Sequence, residues 1–153
     1  MGGSTTVGNI SPYAEANVGH DAPAAKIVFE SGVPLDMVGL NVTKTCPIRP
    51  DVFTRCSPAP DGPIETVMQQ LIAFRNGEAM HDAVAISTLL DDRLMTWQTG
   101  EITVELAPPE RSGQTVLHPS EHADMRAAVA VDTDRYDAII GGMLQRLEKR
   151  LRN

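Results

Sequence analysis

The stretch Ala24-Ala25-Lys26-Ile27-Val28-Phe29-Glu30-Ser31-Gly32-Val33-Pro34-Leu35-Asp36-Met37-Val38-Gly39-Leu40-Asn41-Val42 decides the fold class. Its first half reads as a helix. Ala24, Ala25, Ile27, Val28 and Phe29 give a wide apolar face, Asp21 just ahead can cap it, Pro23 suits the first turn and Gly32 suits the stop. After Pro34 the run 35–42 is short and mostly apolar, as a buried strand is. Helix, tight turn and buried strand form the second half of a βαβ unit, so the chain is expected to be α/β.

Working outward, residues 1–20 carry Gly2, Gly3, Gly8, Asn9, Pro12, Asn17 and Gly19, which is loop chemistry. A loop of that length without structure of its own is usually functional or disordered. On the other side, five prolines between 43 and 63 leave no room for regular structure. Ile64, Val67, Met68, Leu71 and Ile72 then fall on one helical face, and Asn76-Gly77 ends that helix. His81 to Leu90 reads as another short helix. Strands are predicted over 97–106, 114–117 and 125–131. A closing helix follows, capped by Asp132, with Tyr136, Ile139, Ile140, Met143, Leu144 and Leu147 as its stripe. Gly141-Gly142 weakens its middle by ~1 kcal/mol per glycine. Only one predicted strand sits between helices, too few for a doubly wound sheet complete in itself.

Composition bounds the function. The 153 residues are 42% hydrophobic and 22% charged, an ordinary globular balance the size of one domain. Thirteen basic against twenty acidic residues give a net charge of −7, which argues against binding a nucleic-acid backbone. No apolar run approaches the ~18 residues of a membrane span, and the first residues lack the basic and apolar regions of a signal peptide. Cys46 and Cys56 are too few for a disulfide framework and read as free thiols, so a cytoplasmic setting is expected.

Two clusters carry candidate chemistry. In Gly8-Asn9-Ile10-Ser11-Pro12-Tyr13-Ala14-Glu15-Ala16-Asn17, carboxamides and a carboxylate are spaced so that they can share a pocket, and such groups suit a ligand rich in hydroxyls. The same residues also suit a turn network that only holds the loop together. His81-Asp82, at a helix start, offers a general acid and a hard-cation ligand, or simply a residue favoured by the helix dipole. His118 and His122 lie near Glu121 in a loop, where their spacing does not make a metal face. There is no phosphate-binding glycine loop, no nucleophile elbow and no Cys-x-x-Cys pair.

Taken together, Met1-Gly2-Gly3, Gly8-Asn9, Ala14-Glu15-Ala16-Asn17, the helix through Gly32, the segment Met37-Val38-Gly39-Leu40-Asn41-Val42-Thr43 and the His81-Asp82 pair resemble the inosine-uridine nucleoside hydrolase family. The resemblance covers nearly the whole chain. It implies a partial Rossmann-like open sheet, with residues 1–153 the C-terminal portion of one hydrolase domain and the N-terminal half missing. It also implies hydrolysis of the N-glycosidic bond of ribonucleosides to ribose and base, with a bound Ca²⁺ holding the ribose diol and the attacking water. By position in the motifs, Met1, Asn9, Glu15 and Asn17 would bind ribose. His81 would protonate the leaving base, and Asp82 would be a calcium ligand. The partners implied are a nucleoside and either a homo-oligomer or a complementing N-terminal half.

Departures from the family pattern temper this. The family's Asp-x-Asp-x-x-x-Asp-Asp cluster, source of its general base and most calcium carboxylates, has no counterpart here. Asp91-Asp92 is the one adjacent acidic pair. Ala16 stands for a usual aromatic, Asn41 for a usual Asp, and the stretch 74–80 is short. The expectation is therefore a chain inactive alone. One half of a split enzyme and a non-catalytic nucleoside- or ribose-binding module are the alternatives. Large apolar faces are expected to be exposed.

Overall fold

The computed structural model describes residues 1–47, 49–52, 62–75 and 77–151. The chain divides into two compact units, residues 1–43 with 95–131 and residues 44–94 with 132–153.

The first unit is built on a four-stranded mixed sheet. Helix α1 (Ala16–His20) and helix α2 (Ala22–Phe29) precede strand β1 (Leu35–Met37), and helix α3 (Leu40–Thr43) follows it. Strands β2 (Met95–Val104), β3 (Thr115–Pro119) and β4 (Met125–Val131) complete the sheet in the order β1-β4-β2-β3. β1 runs parallel to β4 and the other pairs are antiparallel. The α2–β1 step matches the sequence reading. The Asp21 side chain accepts from Ala24 N–H at 3.0 Å, and Gly32 takes a positive φ of 76° after the helix ends.

Two elements differ from expectation. The strand predicted over 35–42 stops at Met37 because the chain turns into α3. Gly39 allows the turn: a Cβ there would meet the Gly3 carbonyl oxygen at 2.9 Å, and its own carbonyl accepts from Val42 and Thr43 N–H at 3.1 Å each. Likewise the loop expected over 1–20 contains α1, whose start is fixed by a side chain the apolar pattern does not show.

β4 was expected to alternate through Ala127 and Val129. Instead Ala127 and Ala128 are both fully buried and Val129 is 43% exposed. Both faces of the strand are covered at these two positions and both are open at Val129 and Ala130, so burial does not alternate, and the Asn41 carboxamide donates to the Ala128 carbonyl at 2.9 Å. A register shift between Thr96 and Trp97 also interrupts the β2–β4 ladder. Met37, Ile102 and Ala127 form one apolar cluster, flanked by Phe29, Leu35, Leu117 and Met125. Val18, Ala22 and Val104 form another. At about 1.5–3 kcal/mol for each large side chain fully buried, these clusters hold α1 and α2 to the sheet.

The second unit is helical. It contains α4 (Pro63–Arg75), α5 (His81–Ser87), a 3₁₀ turn at Asp92–Leu94 and α6 (Thr133–Leu151). Pro50, Asp51 and Val52 are also helical, so the proline-rich stretch is not wholly irregular. Its residues 53–61, Cys56 among them, and the expected stop at Asn76 lie outside the described residues. Asp132 caps α6, its carboxylate accepting from Arg135 N–H at 2.9 Å. Tyr136 and Val84 are buried. Phe74 is 83% exposed and Leu89 79%, an apolar exposure expected of a face that another part of a protein covers. Among the described residues no helix is long and apolar enough to cross a membrane.

Cys46 is a buried free thiol in this unit. Burial is the main cause that pushes it up to about 11, with Asp137 adding to the shift against a hydrogen bond from Thr45. An acid whose folded pKa is raised stabilises the fold below its unfolded pKa and loses that contribution as pH rises above it. Stability is therefore expected to fall from about pH 9 upward. In a Cys56→Ser background, Cys46 should react with a thiol reagent at pH 8 only after denaturant is added. Fast labelling of the native chain would count against this.

Candidate active site

The candidate residues of the first unit lie around a tightly tied strap, Met1 to Thr6. Four consecutive backbone N–H groups of the strap each donate to a side-chain oxygen. Gly3 N–H goes to Glu15 Oε2 at 2.8 Å, Ser4 to Thr115 Oγ1 at 2.8 Å, Thr5 to Asn41 Oδ1 at 3.2 Å and Thr6 to Ser4 Oγ at 3.2 Å. Thr115 closes the loop by donating its hydroxyl to the Ser4 carbonyl at 2.8 Å. Gly3 has a φ of 70°, a backbone conformation glycine adopts at little cost. A Cβ at Gly3 would also lie 2.9 Å from Met37 Sδ and from Thr115 Cγ2.

Glu15 is 3% exposed. Its carboxylate accepts three backbone N–H groups, from Gly3, from Asn17 at 2.9 Å and from Val18 at 3.2 Å. It is thus the N-cap of α1 and the tie between that helix and the strap. A carboxylate offers about four acceptor sites, so most of its capacity is spent inside the protein.

Asn17 is exposed, and its amide donates to the Met1 carbonyl at 3.3 Å and contacts Met1 Sδ at 3.2 Å. Asn9 is exposed and its carboxamide oxygen accepts from Ala16 N–H at 2.9 Å. The structure therefore brings Met1, Glu15 and Asn17 together, with Asn9 joined to the same turn through Ala16.

Met1 and Asn17 also line a cavity of about 320 Å³ beside β1. Its lining side chains are apolar apart from Asn17 and Asp36, as Val28, Phe29 and Met37 illustrate.

His81 and Asp82 belong to the second unit, at the first two positions of α5. Asp82 is exposed and His81 half-buried. The N-cap is Met80, which makes no side-chain capping bond, so Asp82 is not the cap. Asp91, from the sole adjacent acidic pair, is occupied. Its carboxylate accepts from the Arg93 and Arg135 guanidiniums at 3.0 and 2.8 Å, and these bonds hold it well below the usual carboxylate range. Among the described residues no group of three or more His, Cys, Asp or Glu could hold a metal ion. Ca²⁺ takes six to eight oxygens, so the donors that the described residues bring together do not fit that ion on their own. His118, half of the weak metal suggestion, bonds Thr103 Oγ1 through Nε2 at 3.1 Å.

Sequence reasoning missed Thr115, Ser4 and Asn41 as anchors. Thr115 and Ser4 are 111 residues apart, and local pattern carries no trace of such a contact. Asn41 both accepts from Thr5 and donates to Ala128 O, which an aspartate in that place could not do. Asn41→Asp is expected to cost about 1–3 kcal/mol by leaving a carbonyl facing a carboxylate, read as a lower denaturant midpoint. A midpoint unchanged from the parent would contradict this.

Comparison with known proteins shows the family. The family profile described as inosine-uridine preferring nucleoside hydrolase matches residues 1–138. The chain belongs to that family. It is 30% identical over 154 residues to a putative pyrimidine-specific ribonucleoside hydrolase, RihB, of Shigella boydii serotype 4, covering 92% of this chain and 63% of the relative. The RihB of Escherichia coli O1:K1 is also 30% identical, over 49% of its length. Among solved structures, a plant nucleoside hydrolase matches with a TM-score of 0.78 and 24% identity, covering 94% of this chain and 52% of its own. The purine-preferring ribonucleoside hydrolase from Gardnerella vaginalis matches at 0.74 and 25%, with 95% and 52% covered. The sheet described above is a partial nucleoside hydrolase fold. The chain spans about half to two thirds of the length of the curated relatives it matches.

Proposed function

We propose that this chain is the ribose- and base-facing portion of a ribonucleoside hydrolase that cleaves the N-glycosidic bond to give ribose and free base. The observation that carries the reading is that the family match over residues 1–138 contains both the Glu15-x-Asn17 turn and the His81-Asp82 pair. In this reading Asn9, Asn17 and Met1 meet the ribose hydroxyls. Glu15 acts chiefly by fixing the strap and α1 in one geometry, with one acceptor site left for a hydroxyl. His81 delivers a proton to the base as the glycosidic bond breaks, making it a better leaving group. Asp82 supplies one carboxylate toward a metal whose other ligands are not gathered among the described residues, so no step here is derived through calcium.

The chain by itself is accordingly expected to be inactive, because it has no Asp-x-Asp-x-x-x-Asp-Asp cluster to activate a water. The test is ribose release from inosine and from uridine, with Ca²⁺ present. No release above the uncatalysed rate is expected, and turnover at ordinary enzyme rates would sink the claim of inactivity. Calorimetry with the same nucleosides separates a binding module from an inert fragment. Heat of binding at millimolar ligand, absent in Asn17→Ala, would support a ribose-facing Asn17. No binding by the parent would remove the module reading.

A further inference from the structure

We infer that the second unit binds a free, medium-chain carboxylate, its alkyl tail in an apolar cavity and its head on Arg146 and Arg150. The cavity lies within that unit and measures about 470 Å³. Small-molecule pockets fall in a range of about 300–1,000 Å³. Three helices contribute to its wall, with Met68 from α4, Ala83 from α5, and Met143 and Leu147 from α6. Met143 and Leu147 are exposed, so part of the wall is apolar surface open to solvent. An alkyl chain laid on such surface gains in proportion to the apolar area it removes from water. Met68, Met80 and Met143 all line the cavity. Their unbranched thioether side chains re-pack readily around an inserted chain.

Charge decides the head. Among the described residues that line the cavity, the charged ones are Arg146 and Arg150, and no acid stands with them. That is a local reversal in a chain of net charge −7. The two arginines are four residues apart on α6. At about 100° per residue they fall on one flank of the apolar stripe, next to Met143. Arg146 Nη1 lies 3.7 Å from where a Gly142 side chain would begin, so the guanidinium folds back along the helix over a position with no side chain to crowd it. Arg49, Arg93 and Arg135 of the same unit are each held by an aspartate. Among the described residues Arg146 and Arg150 have no such partner. A carboxylate supplies what they lack, since its two oxygens match the guanidinium fork. Neither His81 nor Asp82 is among the described lining residues, so the inference stands apart from the hydrolase reading.

The test is calorimetric titration of the whole chain with octanoate, decanoate and decyltrimethylammonium, each below the concentration at which it aggregates. Decanoate should saturate at one per chain. Each buried methylene tightens binding about fourfold, so decanoate should bind about tenfold more tightly than octanoate. Decyltrimethylammonium has the same tail and the opposite head, and should bind at least tenfold more weakly than decanoate. Unspecific attraction to a chain of net charge −7 would rank the two the other way. The double variant Arg146→Gln, Arg150→Gln should lose the preference for the carboxylate while keeping the parent's thermal midpoint. Leu147→Asp, at a second exposed position, should abolish decanoate binding. Equal binding of the two heads, a preference that survives the arginine double variant, or no saturable binding at millimolar decanoate would overturn the inference. So would a chain that sediments as a dimer through this face and stays dimeric in decanoate.

Discussion

Glu15→Ala is expected to destabilise the first unit by about 3–5 kcal/mol, a loss large enough to unfold a marginal domain. The carboxylate is buried and holds the N–H groups of Gly3, Asn17 and Val18. Hydrogen bonds to charged groups contribute about 1.5–3 kcal/mol each, and truncation also leaves Gly3 N–H buried without an acceptor. Water entering the cavity offsets part of the sum, which is why the total is set below three full bonds. Glu15→Gln keeps one acceptor oxygen but turns an amide N–H₂ toward backbone donors, so it should fall between parent and alanine. Trp97, the single tryptophan, sits on β2 of the same unit and reports its unfolding by fluorescence in denaturant. A residue whose only role was to touch a sugar would leave that midpoint alone. An alanine variant within about 0.5 kcal/mol of the parent, the scale of an ordinary surface substitution, would place Glu15 in that class.

This result bears on how the sequence was legible. The Glu15-x-Asn17 spacing reads as convergent polar chemistry, and the same spacing is what an N-cap needs. The acceptor at position 15 reaches the N–H groups two and three residues on. A sequence carries both meanings in the same letters, and only burial separates them. The Asp21 cap, the Gly32 stop and the strand over 125–131 were readable because each is a local decision, made by a side chain and backbone a few residues apart. α6 was readable for the same reason, through its stripe. The truncation of β1 at Met37 was not, because Gly39 turns against Gly3, thirty-six residues away. Nor was the twin burial of Ala127 and Ala128, since it depends on what covers each face of β4 at those two positions. In the candidate site, the identity of Asn9, Asn17 and His81 came from motif. The Thr115 and Asn41 anchors that hold the strap came only from tertiary contact.

Gly8→Ala is expected to be the second severe substitution, and for a purely steric reason. A Cβ on Gly8 would lie 2.0 Å from the Ala14 carbonyl oxygen, 2.4 Å from its carbon and 2.6 Å from its nitrogen. All three are backbone atoms, so no rotamer change relieves the contact. Ala14 is itself fixed. It is 2% exposed, its carbonyl accepts from Asn9 and Ile10 N–H at 3.1 and 3.3 Å, and it bridges to Gln114 beside β3. Either the turn from Gly8 to Ala14 opens, losing those bonds and the Gly8-to-Pro12 bond, or Ala14 leaves its place beside Gln114. Both routes cost about 3 kcal/mol or more, at the upper end of single-substitution effects. Gly32→Ala is the control that separates steric from conformational cost. Gly32 has a φ of 76° and nothing within 4 Å of a built Cβ, so alanine there pays only the left-handed penalty of about 1–2 kcal/mol. Denaturant midpoints of the two variants, read through Trp97, should therefore rank Gly8→Ala well below Gly32→Ala. If the two fall together, the Gly8–Ala14 contact does not constrain the turn that carries Asn9, and that turn is free to adapt to whatever binds there.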